Sequence, residues 1–306
     1  MKQLAILFFI TFSLFSCKEN KEEAQAVLSE SNGKINNVSI IIDDNLWNGE
    51  IGDSIRKKFA APVDGLPQEE PLFTLNQYPT KVFEGFVRKS RNIIIVKKDT
   101  KTGFSSNNNV YAKPQNVFLV SGKTTEDVLK VLEEKSAEII KTVKSAEIIE
   151  NQLRMKKSLV SDDKVQKMFG VSLEIGFGFK YDMVKDNFIW LRKEFSSGYN
   201  SILIYQVPIE KVEKDTNIIA NITAMRDEIG KANIHGTLPN TWMITEAAYA
   251  PYLFDVTVAG KKAYLTKGTW ELKNDFMAGP FVNYAIKDTK NNRYLILEGF
   301  TYNPSK

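Results

Sequence analysis

One cysteine in 306 residues, Cys17, is the feature that most narrows what this chain can become. A lone thiol closes no intramolecular disulfide and assembles no Cys/His zinc cluster, so packing and hydrogen bonds must hold the fold. A hydrophobic share of 43% with 25% charged residues suffices, since a chain of this length builds one large core or two smaller ones.

Cys17 also ends a leader. Lys2 is followed by an apolar run from Leu4 to Ile10, with Phe12 and Leu14 beyond it, too short to span a bilayer and placed like the h-region of an export signal. The run closes on Leu14-Phe15-Ser16-Cys17, which resembles a bacterial lipobox, although Phe15 is bulkier than that pattern usually carries. The expectation is a lipoprotein signal peptide over residues 1–16, cleavage before Cys17, and a diacylglycerol on its sulfur with a further N-acyl chain such as palmitate. Each buried CH₂ contributes about 0.8 kcal/mol, so several chains anchor lastingly where one does not.

Removing residues 1–16 takes away only Lys2 of the 41 basic side chains, leaving 40 against 37 acidic. That balance argues against a nucleic-acid partner, which needs a basic patch or stripe. Residues 17–34 comprise the lipidated cysteine and a polar stretch, KENKEEAQAVLSESNGK, that reads as a flexible tether. Lys18 departs from the inner-membrane retention signal, and Lys21-Glu22-Glu23 is similar to surface-export signals of Bacteroidetes lipoproteins. The expected location is the cell envelope, at the outer membrane, on its periplasmic or surface face.

The body alternates strand and helix patterns. Val38 to Ile42 reads as a strand, Ile51, Ile55 and Phe59 as one helical stripe, and Leu72–Leu75, Asn92–Lys97 and Val117–Val120 as further strands. Residues 99–109 read as a polar loop. Thr124-x-x-Asp127 resembles a capping box opening a helix through about Lys157. Within it Lys-Ser-Ala-Glu-Ile-Ile occurs at 135–140 and again at 144–149, and a nine-residue offset rotates the second isoleucine pair by half a turn. The two pairs should therefore face opposite sides. Val165, Met168 and Phe169 form a short stripe ended by Gly170, and Val171, Leu173 and Ile175, Phe188 with Trp190, and Ile202 with Ile204 alternate as strands do. A helix is expected from about Asp215 to Lys231 on Ile218, Ile222, Met225 and Ile229, with mostly β structure beyond Trp242. The fold class is α+β: helices packed on a largely antiparallel sheet, divided as residues 35–160 and 161–306, with two similar subdomains or one continuous domain both open.

Several segments resemble one family: Trp47 to Asp53, Leu66 to Pro71, Arg91 to Ile93, Asn187 to Arg192, Arg226-Asp227, Gly268 to Trp270, and Phe276-Met277-Ala278-Gly279-Pro280-Phe281. It is a domain-of-unknown-function family of Bacteroidetes envelope lipoproteins, and the last segment is its most specific. The resemblance implies a location and brings no activity. Gly268-Thr269 and Ala278-Gly279 stand where the family more often has Arg-Gly and Gly-Gly.

Chemistry is sparsely marked. His235, the only histidine, reads as a helix-terminal residue bonding backbone carbonyls rather than a triad base. Asp43-Asp44-Asn45 opens like a calcium loop but Trp47 and Asn48 fill the next ligand and glycine positions. Ser54-x-x-Lys57, Ser161-x-x-Lys164, Ser106-x-Asn108 and Lys101-Thr102-Gly103 stand in the wrong order for a penicillin-binding enzyme, and Gly176-x-Gly178 lacks the third dinucleotide-loop glycine. Gly279-Pro280 suggests a bulge or bend. No metal or cofactor is expected. The reading is a non-catalytic binding or assembly module for an envelope protein or glycan; the alternative is an envelope hydrolase joining Glu69, Glu70 or Asp227 to Arg91, Arg192 or Arg226. Both turn on whether these residues, with Trp47 and Trp270, gather around one pocket.

Overall fold

A computed structural model describes residues 28–66 and 68–304; the leader, Cys17, residues 18–27 and Pro67 lie outside the described residues. The first half runs β1 (Asn37–Ile41), α1 (Asp44–Trp47), α2 (Glu50–Phe59), β2 (Thr74–Tyr78), α3 (Gly85–Arg88), β3 (Asn92–Lys98), β4 (Gly103–Asn108), β5 (Asn116–Gly122) and α4 (Thr125–Lys156). Its sheet has the order β2-β1-β3-β5-β4, parallel except for β4. Strands buried on both faces read as continuous apolar runs, and β1 and β3 do so for that reason. Val38, Ile40 and Ile94 pack under α2 and α4, while Ile41 and Ile93 pack on the opposite face with Phe83, Val87 and Tyr111.

Helix α4 opens on the expected capping box, Thr124 Oγ1 accepting from the Asp127 amide and Asp127 accepting from the Thr124 amide, each at 3.2 Å. Ile139 is buried whereas Ile148 and Ile149 are exposed, so the repeated isoleucine pairs do face different ways. Two details depart from expectation. Residues 103–108 are an edge strand rather than loop, held by pairing with β5 and by Phe104 stacked on Phe118. Residues 29–34 are docked on the body: Glu30 bridges Lys113 and Asn32 bridges Ser90.

The second half runs β6 (Leu159–Val160), α5 (Asp163–Phe169), β7 (Ile175–Gly176), β8 (Lys180–Lys185), β9 (Phe188–Phe195), β10 (Gly198–Pro208), α6 (Ile209–Val212), α7 (Ile218–Asn233), β11 (Trp242–Thr245), β12 (Tyr252–Val258), β13 (Lys261–Lys273), β14 (Ala278–Asp288) and β15 (Arg293–Tyr302). Eight of these strands form one antiparallel sheet ordered β11-β13-β14-β15-β10-β9-β8, with β12 on the same edge of β13 as β11. Alternation splits its side chains. Leu203, Tyr205, Phe281, Ala285 and Ile296 pack under α7, and Ile189, Leu191, Ile204 and Leu295 pack with Val165 and Phe169 of α5. The fold is α+β, and its two halves do not repeat one another, one sheet being mainly parallel and the other antiparallel.

Val171 and Leu173 lie outside any strand, and only Ile175 pairs, with Val160. Gly279 and Pro280 make no bulge: Trp270 faces Gly279 and Thr269 faces Pro280 in unbroken register. The β14–β15 ladder begins one residue later, at Phe281, so the proline's missing N–H falls where β14 is paired on one side only.

Candidate functional site

The loop joining α2 to β2 folds back on itself. Leu72 donates to the Ala61 carbonyl at 2.8 Å and Val63 to that of Glu70 at 3.0 Å, and Pro62 bridges Pro71. This closure pushes the Asp64-Gly65-Leu66 tip onto the outer face of the large sheet, the face opposite α7. Gly65 is required there twice over. Its φ of +85° is left-handed, and a Cβ would stand 2.9 Å from the Lys267 Cβ.

Between tip and sheet lie two cavities, of about 470 and 400 Å³, that share Leu66, Asn200, Pro280 and Thr301. Val63, Phe179 and Val282 make the first largely apolar, while Gln68, Glu70 and Asn303 give the second a polar rim. Lys267 stands at the first. Burial, reinforced by Lys144 and opposed by Asp64, holds its ammonium below the ordinary lysine range. Thus Leu66, Gln68 and Glu70 share a cavity with Ala278, Gly279 and Pro280, two segments more than 200 residues apart in the chain. Gly279 lies against the neighbouring strand, where a Cβ would stand 2.1 Å from the Thr301 carbonyl oxygen.

The other candidates do not join this cleft. Trp47 ends α1 under the Arg56 guanidinium, 4.5 Å from its ring centre. Glu69 is exposed on the loop. Arg91 is buried in a bidentate pair with Glu147, Nε to Oε1 at 2.6 Å and Nη2 to Oε2 at 3.0 Å, and Asn92 donates to the same carboxylate at 2.6 Å. Arg192 lies between Trp190 and Tyr199, 3.3 Å from Glu194 and 3.6 Å from Asp182. Burial, despite Arg192, pushes the Tyr199 hydroxyl up to about 12. Arg226 is buried against Glu298 at 2.9 Å, and Asp227 accepts from the Thr245 amide and hydroxyl at 2.7 and 2.8 Å. Trp270 is core, its Nε1 donating to the Thr301 carbonyl at 3.1 Å.

Among the described residues, none of the five main cavities is lined by more than one of the candidates: Glu70 lines the second cavity of the cleft and Arg91 a groove beside α4. Asp227, on α7, and Glu70 stand on opposite faces of the large sheet, so the carboxylates named for a hydrolase do not converge. At Asp43-Asp44, Thr80 donates to Asp43 at 3.3 Å and Gln77 to Asp44 at 2.9 Å. Among the described residues no group of three or more His, Cys, Asp and Glu side chains is placed to hold a metal ion, and no helix is long and apolar enough to cross a membrane. His235 bonds the Lys231 carbonyl at 3.0 Å, as its place after a helix suggests.

Two features were not foreseen. Lys267, Asn200 and Thr301 carry no motif; only the prolines of the loop and the FMAGPF segment mark their surroundings. Glu271, on β13, has its carboxyl held above the ordinary range by burial and then by Glu246 beside it, a pairing created by β11–β13 adjacency.

Two family models match the chain, on either side of the end of α4. Residues 31–156 match a Domain of unknown function (DUF8532) and residues 158–306 a Domain of unknown function (DUF4837). No curated protein and no solved structure matches it.

Proposed function

We propose that this chain, which joins two domain-of-unknown-function families, is a lipid-anchored cell-envelope lipoprotein whose body binds a partner in the cleft between its halves. The observation that carries the binding reading is the cleft itself: an apolar floor with a few polar groups at the rim is the usual build of a ligand seat. The arginines nearest to chemistry, Arg91 and Arg226, are both committed to buried ion pairs. A floor of Pro280, Val282 and Phe179 favours an apolar segment of an envelope protein over a glycan, whose hydroxyls would find few partners there. The anchor rests on the Leu14–Cys17 segment, and Lys18 with Lys21-Glu22-Glu23 favours the outer membrane over the inner.

A photo-crosslinking residue at Val282 in the full-length chain, expressed in its own envelope, tests the seat. A discrete adduct is expected, absent when the residue is moved to Lys290. Equal or no adducts from both sites would remove the cleft from consideration. Palmitate labelling is expected to disappear in Cys17→Ser, and its persistence would overturn the anchor.

One observation favours a second reading, catalysis. A carboxyl held above its ordinary range by burial and by a second carboxylate beside it, as Glu271 is by Glu246, is the kind of pairing that acid/base chemistry uses. Turnover in a hydrolase screen that falls at least a hundredfold in Glu271→Gln would establish it over binding alone.

A further inference from the structure

The docked N-terminal strand emerges among exposed apolar side chains. Ser31 donates to the Lys113 carbonyl at 3.1 Å and Lys113 to that of Ser29 at 2.9 Å; beside this pairing stand Leu28, 38% exposed, and Val110 of the same loop, 42% exposed. On one flank the Asn32 side-chain Nδ2 donates to the Phe86 carbonyl at 3.0 Å, and the Phe86 ring is 71% exposed. On the other, Arg154 donates to the Gly33 carbonyl at 3.1 Å, and a groove of about 250 Å³ between α4 and the loop at Pro114 is lined by Ile149 and Leu153, 56% and 52% exposed. All these lie at the edge where β1, β3 and β5 begin. Exposed cations, Lys34, Lys89, Lys113 and Arg154, stand around them, with Glu30 and Glu84 as exposed acids nearby and Glu150 paired to Arg154 at 2.6 Å.

From these placements we infer that this edge is a membrane-contacting face, with Phe86, Val110, Ile149 and Leu153 entering the headgroup region of the bilayer that holds Cys17. The inference rests on the anchor proposed above. Residues 18–27 separate Cys17 from Leu28, and eleven residue steps span at most about 40 Å, so the edge bearing Leu28 is the part of the body held nearest the lipid. Scattered single apolar residues need no explanation, but five around the point of attachment, ringed by basic groups, match what interfacial binding requires. The opposite edge of the parallel strands, where open α/β sheets bind their ligands, then faces away from the membrane.

The lone cysteine makes the test clean. With the Cys17 sulfur lipidated, a cysteine introduced by Phe86→Cys, Ile149→Cys or, as control, the fully exposed Phe276→Cys is the only free thiol, open to an environment-sensitive fluorophore. In the full lipidated chain on vesicles, nitroxide-labelled lipid is expected to quench the probes at 86 and 149 at least about threefold more than at 276. Vesicle-bound protein with equal quenching at all three sites overturns the face and leaves the anchor standing. Should the native chain fail to float with vesicles, the anchor fails instead. The face is then judged on Cys17→Ser, whose weak adsorption to phosphatidylglycerol vesicles is expected to fall about tenfold with Phe86→Ser and Ile149→Ser combined. No fall would overturn it.

Discussion

Each half of the molecule buries one arginine against one glutamate, and the two pairs are finished differently. In the first half Arg91 spends its remaining donors on the Gly33 and Lys34 carbonyls at 3.4 and 2.9 Å, and Glu147 accepts from the Asn36 amide at 2.7 Å. That pair is a clamp on the start of the folded chain. In the second half Arg226 is sealed between α7 and the sheet. Its guanidinium lies 3.7 Å from the Phe281 ring centre and donates to Thr245 at 2.8 Å, while Asn283 donates to Glu298 at 2.8 Å. Around it the Thr266 hydroxyl finds no hydrogen-bond partner among the described residues, and burial, with Glu298 nearby, holds the Tyr205 hydroxyl well above its ordinary range. The difference teaches where each half is vulnerable: the first at its attachment to the N-terminal strand, the second throughout its core.

The largest expected effect tests the second half. Glu298→Ala leaves a guanidinium in the core with no carboxylate, at a cost of about 4 kcal/mol measured by equilibrium denaturation. Glu147→Ala is expected to cost less, about 3 kcal/mol, because Arg91 keeps two backbone carbonyls and Glu150, 3.7 Å away, can move toward it. Hydrogen exchange should show residues 29–36 losing protection first in that variant. A larger loss for Glu147→Ala than for Glu298→Ala would invert the comparison.

Both arginines were visible as candidates in the sequence, but their partners were not. Glu147 follows Arg91 by 56 residues and Glu298 follows Arg226 by 72, and only the packing of α4 on β3 and of α7 on β15 brings them together. Local chemistry was easier to read. The Thr124–Asp127 box, the stripe of α2, Gly170 at φ +68° and the opposed isoleucine pairs depend on neighbours a few residues apart. What local pattern missed was pairing: residues 103–108 are polar and become a strand only because β5 offers them an edge, and Val171 and Leu173 alternate without a partner strand. The cleft shows both sides. Two of the family-like segments that line it stood out in the sequence, whereas their meeting depends on a loop tip crossing from one half to the other.

A substitution at that meeting is expected to rank third. Gly279→Ala would place a methyl 2.1 Å from the Thr301 carbonyl oxygen, which belongs to a paired strand and cannot yield freely. Overpacking of this kind costs about 2 kcal/mol. Since the strain falls on β15 of the second half, exchange protection there should drop while the 29–36 strand stays protected. An unaffected midpoint would show that the first residues of β14 are held more loosely than the core of the sheet.

The smallest expected effect is a pH dependence that also separates the halves. Asn291 first, at 2.6 Å, then Lys261 and Arg293 hold the Asp288 carboxyl down to about 2 in the second half. In the unfolded chain an aspartate titrates near 3.9. A depressed carboxyl contributes stability that is fully present above the unfolded value and is lost as pH falls toward the folded one. Stability should therefore decline between about pH 4 and pH 2, and Asp288→Asn should remove part of that slope while lowering stability at neutral pH. Of the first-half carboxylates held low, Asp99 and Glu133 lean on surface lysines and are screened by salt. If urea midpoints at pH 5 and pH 2.5 shift equally in the native chain and in Asp288→Asn, Asp288 is not the source of acid sensitivity in the second half, where Asp162 and Glu213 are also held low.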